Sequence, residues 1–284
     1  MAADGSDVMT LTCVVDNAVE HASTLWGEHG LAFVVETGAG RVLLDAGQSG
    51  LVLLHNLKEL DWRPRDFSAV VSSHAHADHT GGLLAFLEQT PGLPLFAHTD
   101  LFRRRYAERR KKPPRRIGPP AGARKFARLA DLRLSSEATE VLPGLWTTGE
   151  IRRRSEPEGR SPRHLVRLEN GSYVPDPYRD DLSLVWQGSS GLVVILGCAH
   201  AGVLNILSQA AADFRKPISA VIGGMHLHDA EKAQVDRVAT VLAEVYGAPW
   251  VYPNHCTGVA GLLGLRERLG DRVKPCPAGT TLEF

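Results

Sequence analysis

Apolar positions recur along this chain with two different rhythms. In the first third, short runs rich in β-branched residues and bounded by glycine, "LTCVVDN", "LAFVVETGAGRVLLDAG" and "FSAVVSSH", predict strands, the middle run being a hairpin that turns at "TGAG". From Gly191 onward, apolar runs alternate with helical stretches: "GLVVILGCAH", "ISAVIGGMHL" and "WVYPNHC" are each followed by a helix, and the short segment "TTLEF" closes the chain. The clearest helix covers Ala230 to Tyr246. Val235, Val238, Val241, Leu242 and Val245 share one face there at helical spacing, with Asp229 placed to cap the start. A meander followed by β/α alternation predicts two sheets packed together with helices outside, without an internal repeat.

Composition narrows the class. With 284 residues and 43% hydrophobic content, the chain can bury a large core, and residues 1–284 are expected to form one domain. Lys+Arg and Asp+Glu balance at 32 each, so no global field gathers polyanions and nucleic acid is disfavoured as a partner. The opening "MAADGSDVMTLTCVVDN" lacks a basic-then-apolar leader, and no apolar stretch approaches the ~20 residues that cross a bilayer. The expectation is a cytoplasmic protein with no membrane partner. The four scattered cysteines fit a reducing compartment better than a disulfide framework. Charge is concentrated in the middle, at about residues 102–165, where "FRRRYAERRKKPPRRIGPPAGARK" and "IRRRSEPEGRSPR" form a basic insertion. Two readings stay open for it. It is either a solvated segment held open by proline and repulsion, or a mobile flap whose arginines, Arg103 and Arg104 among them, reach a small anionic substrate.

The candidate chemistry lies in "SSHAHADHTGG", where His74, His76, Asp78 and His79 fall within six residues directly after a predicted strand. Residues two apart in an extended segment point the same way, so His74 and His76 can grip one cation, and the turn after Ala77 swings Asp78 and His79 toward a second. Imidazole and carboxylate donors suit Zn, Mn or Fe(II). Four times an apolar run ends in a histidine-bearing turn before a helix: "HAHADHTGG", "GCAHAGVLN", "GGMHLHDA" and "NHCTGVAGL". In α/β architecture the C-terminal strand ends share one edge, so these histidines should converge.

"HAHADH", preceded by "VLLDAG", resembles the first two motifs of the metallo-β-lactamase superfamily. "EHGLAF", "GCAHAG", "GGMHL" and "HCTG" are similar to a subgroup of metal-dependent hydrolases that includes an archaeal pterin enzyme. The resemblance implies an αββα sandwich, two mixed β-sheets flanked by helices, with a two-metal site at one end. It assigns His74 and His76 to the first metal and Asp78, His79 and His255 to the second, with Asp45 orienting the ligand loop through hydrogen bonds. The ions would be two divalent cations, zinc first, with Mn, Fe or Mg as alternatives. Where many members carry a further histidine, "WTTGEI" offers Glu150; where many carry a bridging aspartate, this chain has Cys198. His200, two residues on, is favoured as the replacement ligand, and Cys198 is left as either a bridging thiolate or a packed thiol. His226 is read as a residue behind the ligands or a general acid rather than as a ligand, with Asp78 or His226 handling protons. His29 either lines the pocket or only satisfies a turn, the second being favoured, and Cys256 is read as pointing away by strand alternation. Thr257 and Gly258 open the last helix, whose free N–H groups could hold an anion. The implied activity is hydrolysis of an ester or phosphoester by metal-activated water. A pterin transferase of dihydropteroate-synthase-like type is the first alternative, and a non-catalytic metal-binding sensor the second.

Overall fold

A computed structural model describes residues 8–159 and 161–284, so the opening segment and Arg160 of the second basic run lie outside the described residues. Two large sheets face each other. The first runs, in spatial order, Thr281–Glu283, Thr10–Val15, Ala32–Thr37, Gly40–Leu44, Ala69–Val71, Pro94–Ala97 and Asp131–Leu134. The second runs Trp250–Pro253, Ile218–Gly223, Gly191–Leu196, Leu184–Gly188, Leu145–Thr147 and Thr139–Leu142. Both are mixed: the expected meander pairs antiparallel as far as Gly40–Leu44, and the following strands then add in parallel.

Alternating side chains give each sheet two apolar faces. Leu11, Phe33, Leu44 and Val71 from one sheet meet Leu184, Val193, Ile195 and Ile222 from the other in a shared core. The outer face of the first sheet is covered by helices Gly50–Glu59 and Leu83–Leu87, and that of the second by Val203–Phe214, Lys232–Glu244 and Gly258–Leu269. Each fully buried Leu or Phe contributes about 1.5–3 kcal/mol, so the three apolar layers hold the sandwich without help from the site. This is the αββα architecture. No described helix is long and apolar enough to cross a membrane.

Two local expectations are corrected. The helix expected over Ala230 to Tyr246 spans Lys232–Glu244, and its N-cap is Glu231, so Asp229 does not cap it; Asp229 instead lies 3.1 Å from His228. Val245 falls past the last turn and is 69% exposed, because the chain leaves the sheet surface there.

The basic region is folded. Arg105–Arg109, Lys112–Arg116, His164–Arg167 and Tyr173–Pro175 form a third, antiparallel sheet, while the intervening strands Asp131–Leu134, Thr139–Leu142 and Leu145–Thr147 belong to the two main sheets. The reading of a segment held open by like charge overlooked Arg105, which is fully buried. Its Nε donates to Asp176 at 2.8 Å and its Nη2 to Asp180 at 2.6 Å. Paired in this way, the guanidinium avoids the cost of an isolated buried charge.

Candidate metal centre

The strand Ala69–Val71 ends at the ligand loop, and backbone contacts press that loop into place. Gly81 and Gly82 sit where a Cβ would come within 2.0 Å of the Gln48 carbonyl and 2.2 Å of the Ala46 carbonyl, so "TGG" is required for close approach of the Asp45–Ser49 turn. Glu28 holds that turn from the other side. Its carboxylate accepts the amides of Gln48 and Ser49 at 2.8 and 2.9 Å and the Ser49 hydroxyl at 2.7 Å. Asp45 is fully buried and accepts from the Ser73 amide (2.7 Å) and the Ser73 hydroxyl (2.6 Å), with His79 Nδ1 at 2.7 Å. That contact fixes the His79 ring and leaves its Nε2 facing the centre.

The strand-end histidines converge. One donor atom each from His74, His76 and His200 lie within 4.8 Å of one another, as do those of His74, His79 and Cys198. Asp78 Oδ2 stands 3.4 Å from His255 Nε2 and 3.7 Å from His79 Nε2, which brings the second set of expected ligands together. His29 Nε2 is also 3.4 Å from that oxygen, so His29 borders the site as well as its turn. His226 lines the same cavity, with its ring 4.4 Å from that of His200.

Electrostatics sort these groups. Burial, with neighbouring rings adding to it, pushes His74 and His200 well below the ordinary imidazole value, and burial does the same to His76 against the pull of Asp78, so all three rings are neutral. His226 is lowered to about 3 by burial and His228. Burial also disfavours the charged form of His79, but Asp45 and Asp78 outweigh it and raise that ring to about 9. Asp78, although buried, is held below the usual carboxylate range by His79 and His255. Burial and Cys256 raise the Cys198 thiol, whose Sγ lies 3.1 Å from His79 Nε2.

The donor set fits a divalent ion. His76 Nε2 and His200 Nε2 are buried without a hydrogen-bond partner among the described residues, an arrangement that costs about 1–3 kcal/mol per group unless something accepts the lone pair.

Other expected residues lie elsewhere. Glu150 faces His98 at 3.7 Å and a separate cavity. Thr257 is buried, and its hydroxyl accepts the Met225 amide at 3.0 Å; Gly258 is packed against His228. Both serve as struts for the loops that carry His226 and His255. Arg103 pairs with Asp100 at 2.6 Å, and Arg104 lines a cavity beyond the third sheet. The arginines over the histidines are Arg115, Arg116 and Arg163, around a cavity of about 280 Å³ that His164 also lines. Sequence reading missed these because only strand pairing decides which arginines of a basic run face inward. It also missed Tyr178, which stacks on His200 at 4.0 Å and contacts His164 through its hydroxyl, and Asp181, whose Oδ2 accepts the Ala201 amide at 2.6 Å. The carboxylate-rich "DPYRDD", adjoining a strand, was the available signal.

Residues 25–159 match the model of the metallo-beta-lactamase superfamily. Over 98% of this chain and 97% of the relative, the sequence is 28% identical to 7,8-dihydropterin-6-methyl-4-(beta-D-ribofuranosyl)-aminobenzene-5'-phosphate synthase of Methanocaldococcus jannaschii. Among solved structures, a metal-dependent hydrolase of the beta-lactamase superfamily superposes with a TM-score of 0.83 at 27% identity, covering 97% of this chain and 99% of that one. A diphosphatase of the PhnP family, at 13% identity and a TM-score of 0.55 over 98% of this chain and 97% of its own, shares the fold. Motif, sandwich and relatives agree: the chain has the metallo-beta-lactamase fold, and residues 25–159 carry the match to that superfamily's model.

Proposed function

We propose that this chain is a binuclear metal-dependent hydrolase that cleaves an ester or phosphoester bond of a small anionic substrate, working in the cytoplasm with zinc as its ion. The observation that carries the reading is the meeting, in one cavity, of neutral buried imidazoles with open lone pairs and a rim of arginines. His74, His76 and His200 would hold one ion, and Asp78, His79 and His255 the other, with Cys198 between the two sets. A divalent ion held by these residues would supply Lewis acidity, lowering the pKa of a bound water and polarising the bond under attack.

The protein's own groups supply the remaining work. Arg115, Arg116 and Arg163 bind the anionic part of the substrate by charge-assisted hydrogen bonds. Asp78, held ionised by its neighbours, keeps Oδ2 3.4 Å from the Nε2 atoms of His29 and His255 and would serve as an anionic donor to the centre. His226, neutral at pH 7, offers one ring nitrogen as a proton acceptor and the other as a donor beside a leaving group.

Activity on generic phosphodiesters and lactones tests this. Turnover should vanish on chelation and return with metal, whereas a metal-loaded, folded protein inert toward all of them would favour the sensor reading. A second reading has its own support in the 28% identity, along nearly the whole chain, to an archaeal synthase. Here the same site would transfer a pterin-bearing fragment to an amine or aromatic carbon nucleophile instead of water. Product analysis with and without an arylamine acceptor separates transfer from hydrolysis.

A further inference from the structure

We propose that Cys256 is a metal ligand and that, with Cys198, it makes one half of the centre sulfur-rich, selecting zinc or another thiophilic ion over manganese or magnesium. The inference rests on the metal-centre reading above and adds a donor and a selectivity to it. Cys198 Sγ, Cys256 Sγ and a ring nitrogen of His255 all lie within 4.8 Å of one another, and all three residues line the cavity.

Strand alternation would have sent Cys256 to the face opposite His255. The backbone prevents this. His255 has a φ of +46° and begins the single turn His255–Thr257, so residues 255 and 256 both face the centre. A left-handed histidine is strained, and it is held there by Asp16, which accepts its amide at 2.8 Å, and by Asn17 Oδ1, 3.0 Å from its Nδ1. That contact leaves Nε2 free for the centre. Opposite the thiol stands Gly224, where a Cβ would lie 2.6 Å from Cys256 Sγ, so the space the sulfur occupies exists only because this position lacks a side chain. Among the described residues, the Cys256 thiol donates a weak hydrogen bond to the Cys198 carbonyl at 3.6 Å and lies against the Cys198 thiol. On ligation each thiol gives its proton to solvent and becomes a thiolate donor, and thiolates favour zinc over manganese and magnesium.

The test uses full-length protein stripped of metal and reloaded with cobalt(II). A thiolate-to-cobalt charge-transfer band should appear, weaken in Cys256→Ser and in Cys198→Ser, and disappear in the double variant. Zinc affinity of Cys256→Ser should fall at least about tenfold, with manganese affinity unchanged. X-ray absorption averages over both ions, so the zinc-loaded wild type should require about one sulfur neighbour per zinc, and this measurement decides the matter if a variant fails the circular-dichroism check for folding. An undiminished band in a folded Cys256→Ser, or a wild-type spectrum fitted by clearly less sulfur than that, overturns the proposal alone. Failure to bind cobalt at all overturns the metal centre with it.

Discussion

Asp181 is 1% exposed, gives its Oδ2 to the Ala201 amide beside His200, and leaves Oδ1 without a partner among the described residues. Burial raises its pKa to about 7, against about 3.9 for an unfolded chain. Between those values the folded protein binds more protons at this residue than the unfolded one. Its contribution to stability is therefore full below about pH 4 and is lost as pH rises through about 7. In metal-free protein, Asp181→Asn should remove that dependence, so the stability of the variant relative to wild type rises from pH 4.5 to pH 7.5. Urea unfolding at the two pH values measures it, and a constant difference would refute it. At the centre itself, His200→Ala should release the first metal preferentially, because His74 and His76 alone are too few for a tight site. Metal stoichiometry of the folded variant gives the answer; full occupancy would show that another residue fills the position. His76→Ala should abolish activity while circular dichroism stays near wild type, since no apolar layer depends on that ring.

The element that most shapes the site is the third sheet with its flanking turns. It grips the ligand loops from outside: the Ile117 carbonyl accepts the Ala77 amide at 2.8 Å, and Asp180, paired to Arg105, accepts the Ala75 amide at 2.8 Å. Gly159 approaches His200 Nδ1 through its carbonyl at 3.4 Å. Arg105→Met strands two buried carboxylates and should destabilise the protein by about 3–5 kcal/mol, with weaker metal binding in whatever remains folded. Arg105→Lys should recover little of the loss, because an ammonium lacks the guanidinium fork that spans Asp176 and Asp180. Urea unfolding with metal titration checks both. A loss below about 1 kcal/mol would mean that the carboxylates find other partners.

At the scale of the molecule, charge is balanced overall and uneven locally. Arg115, Arg116 and Arg163 stand at the mouth of the cavity, while Arg103 and Arg104 lie elsewhere. Replacing Arg115 and Arg163 with Gln should raise KM for anionic substrates about five- to tenfold and flatten its salt dependence, whereas the same change at Arg103 and Arg104 should leave KM within about twofold. Steady-state kinetics at two ionic strengths distinguish the pairs. If KM responded equally to both, the third sheet would be acting through bulk charge and not through the cavity rim.

The sequence by itself determined the sandwich and the gathering of His74, His76, Asp78, His79, His200 and His255. Period-two apolar runs specify which face of a strand is buried, and histidines placed directly after such runs must emerge along one sheet edge. Tertiary structure alone decided what surrounds them. Which arginines of a basic run face the cavity depends on the pairing of Arg105–Arg109 with His164–Arg167 across more than fifty residues of chain, a register that no local pattern states. Asp180 and Asp181 acquire their partners only when their segment packs against the loops that follow two separate strands. Cys256 turns inward because one histidine takes a left-handed backbone, which alternation along an extended strand cannot anticipate. Local periodicity encodes faces, whereas long-range pairing and a single positive φ set the directions of the side chains that do the chemistry.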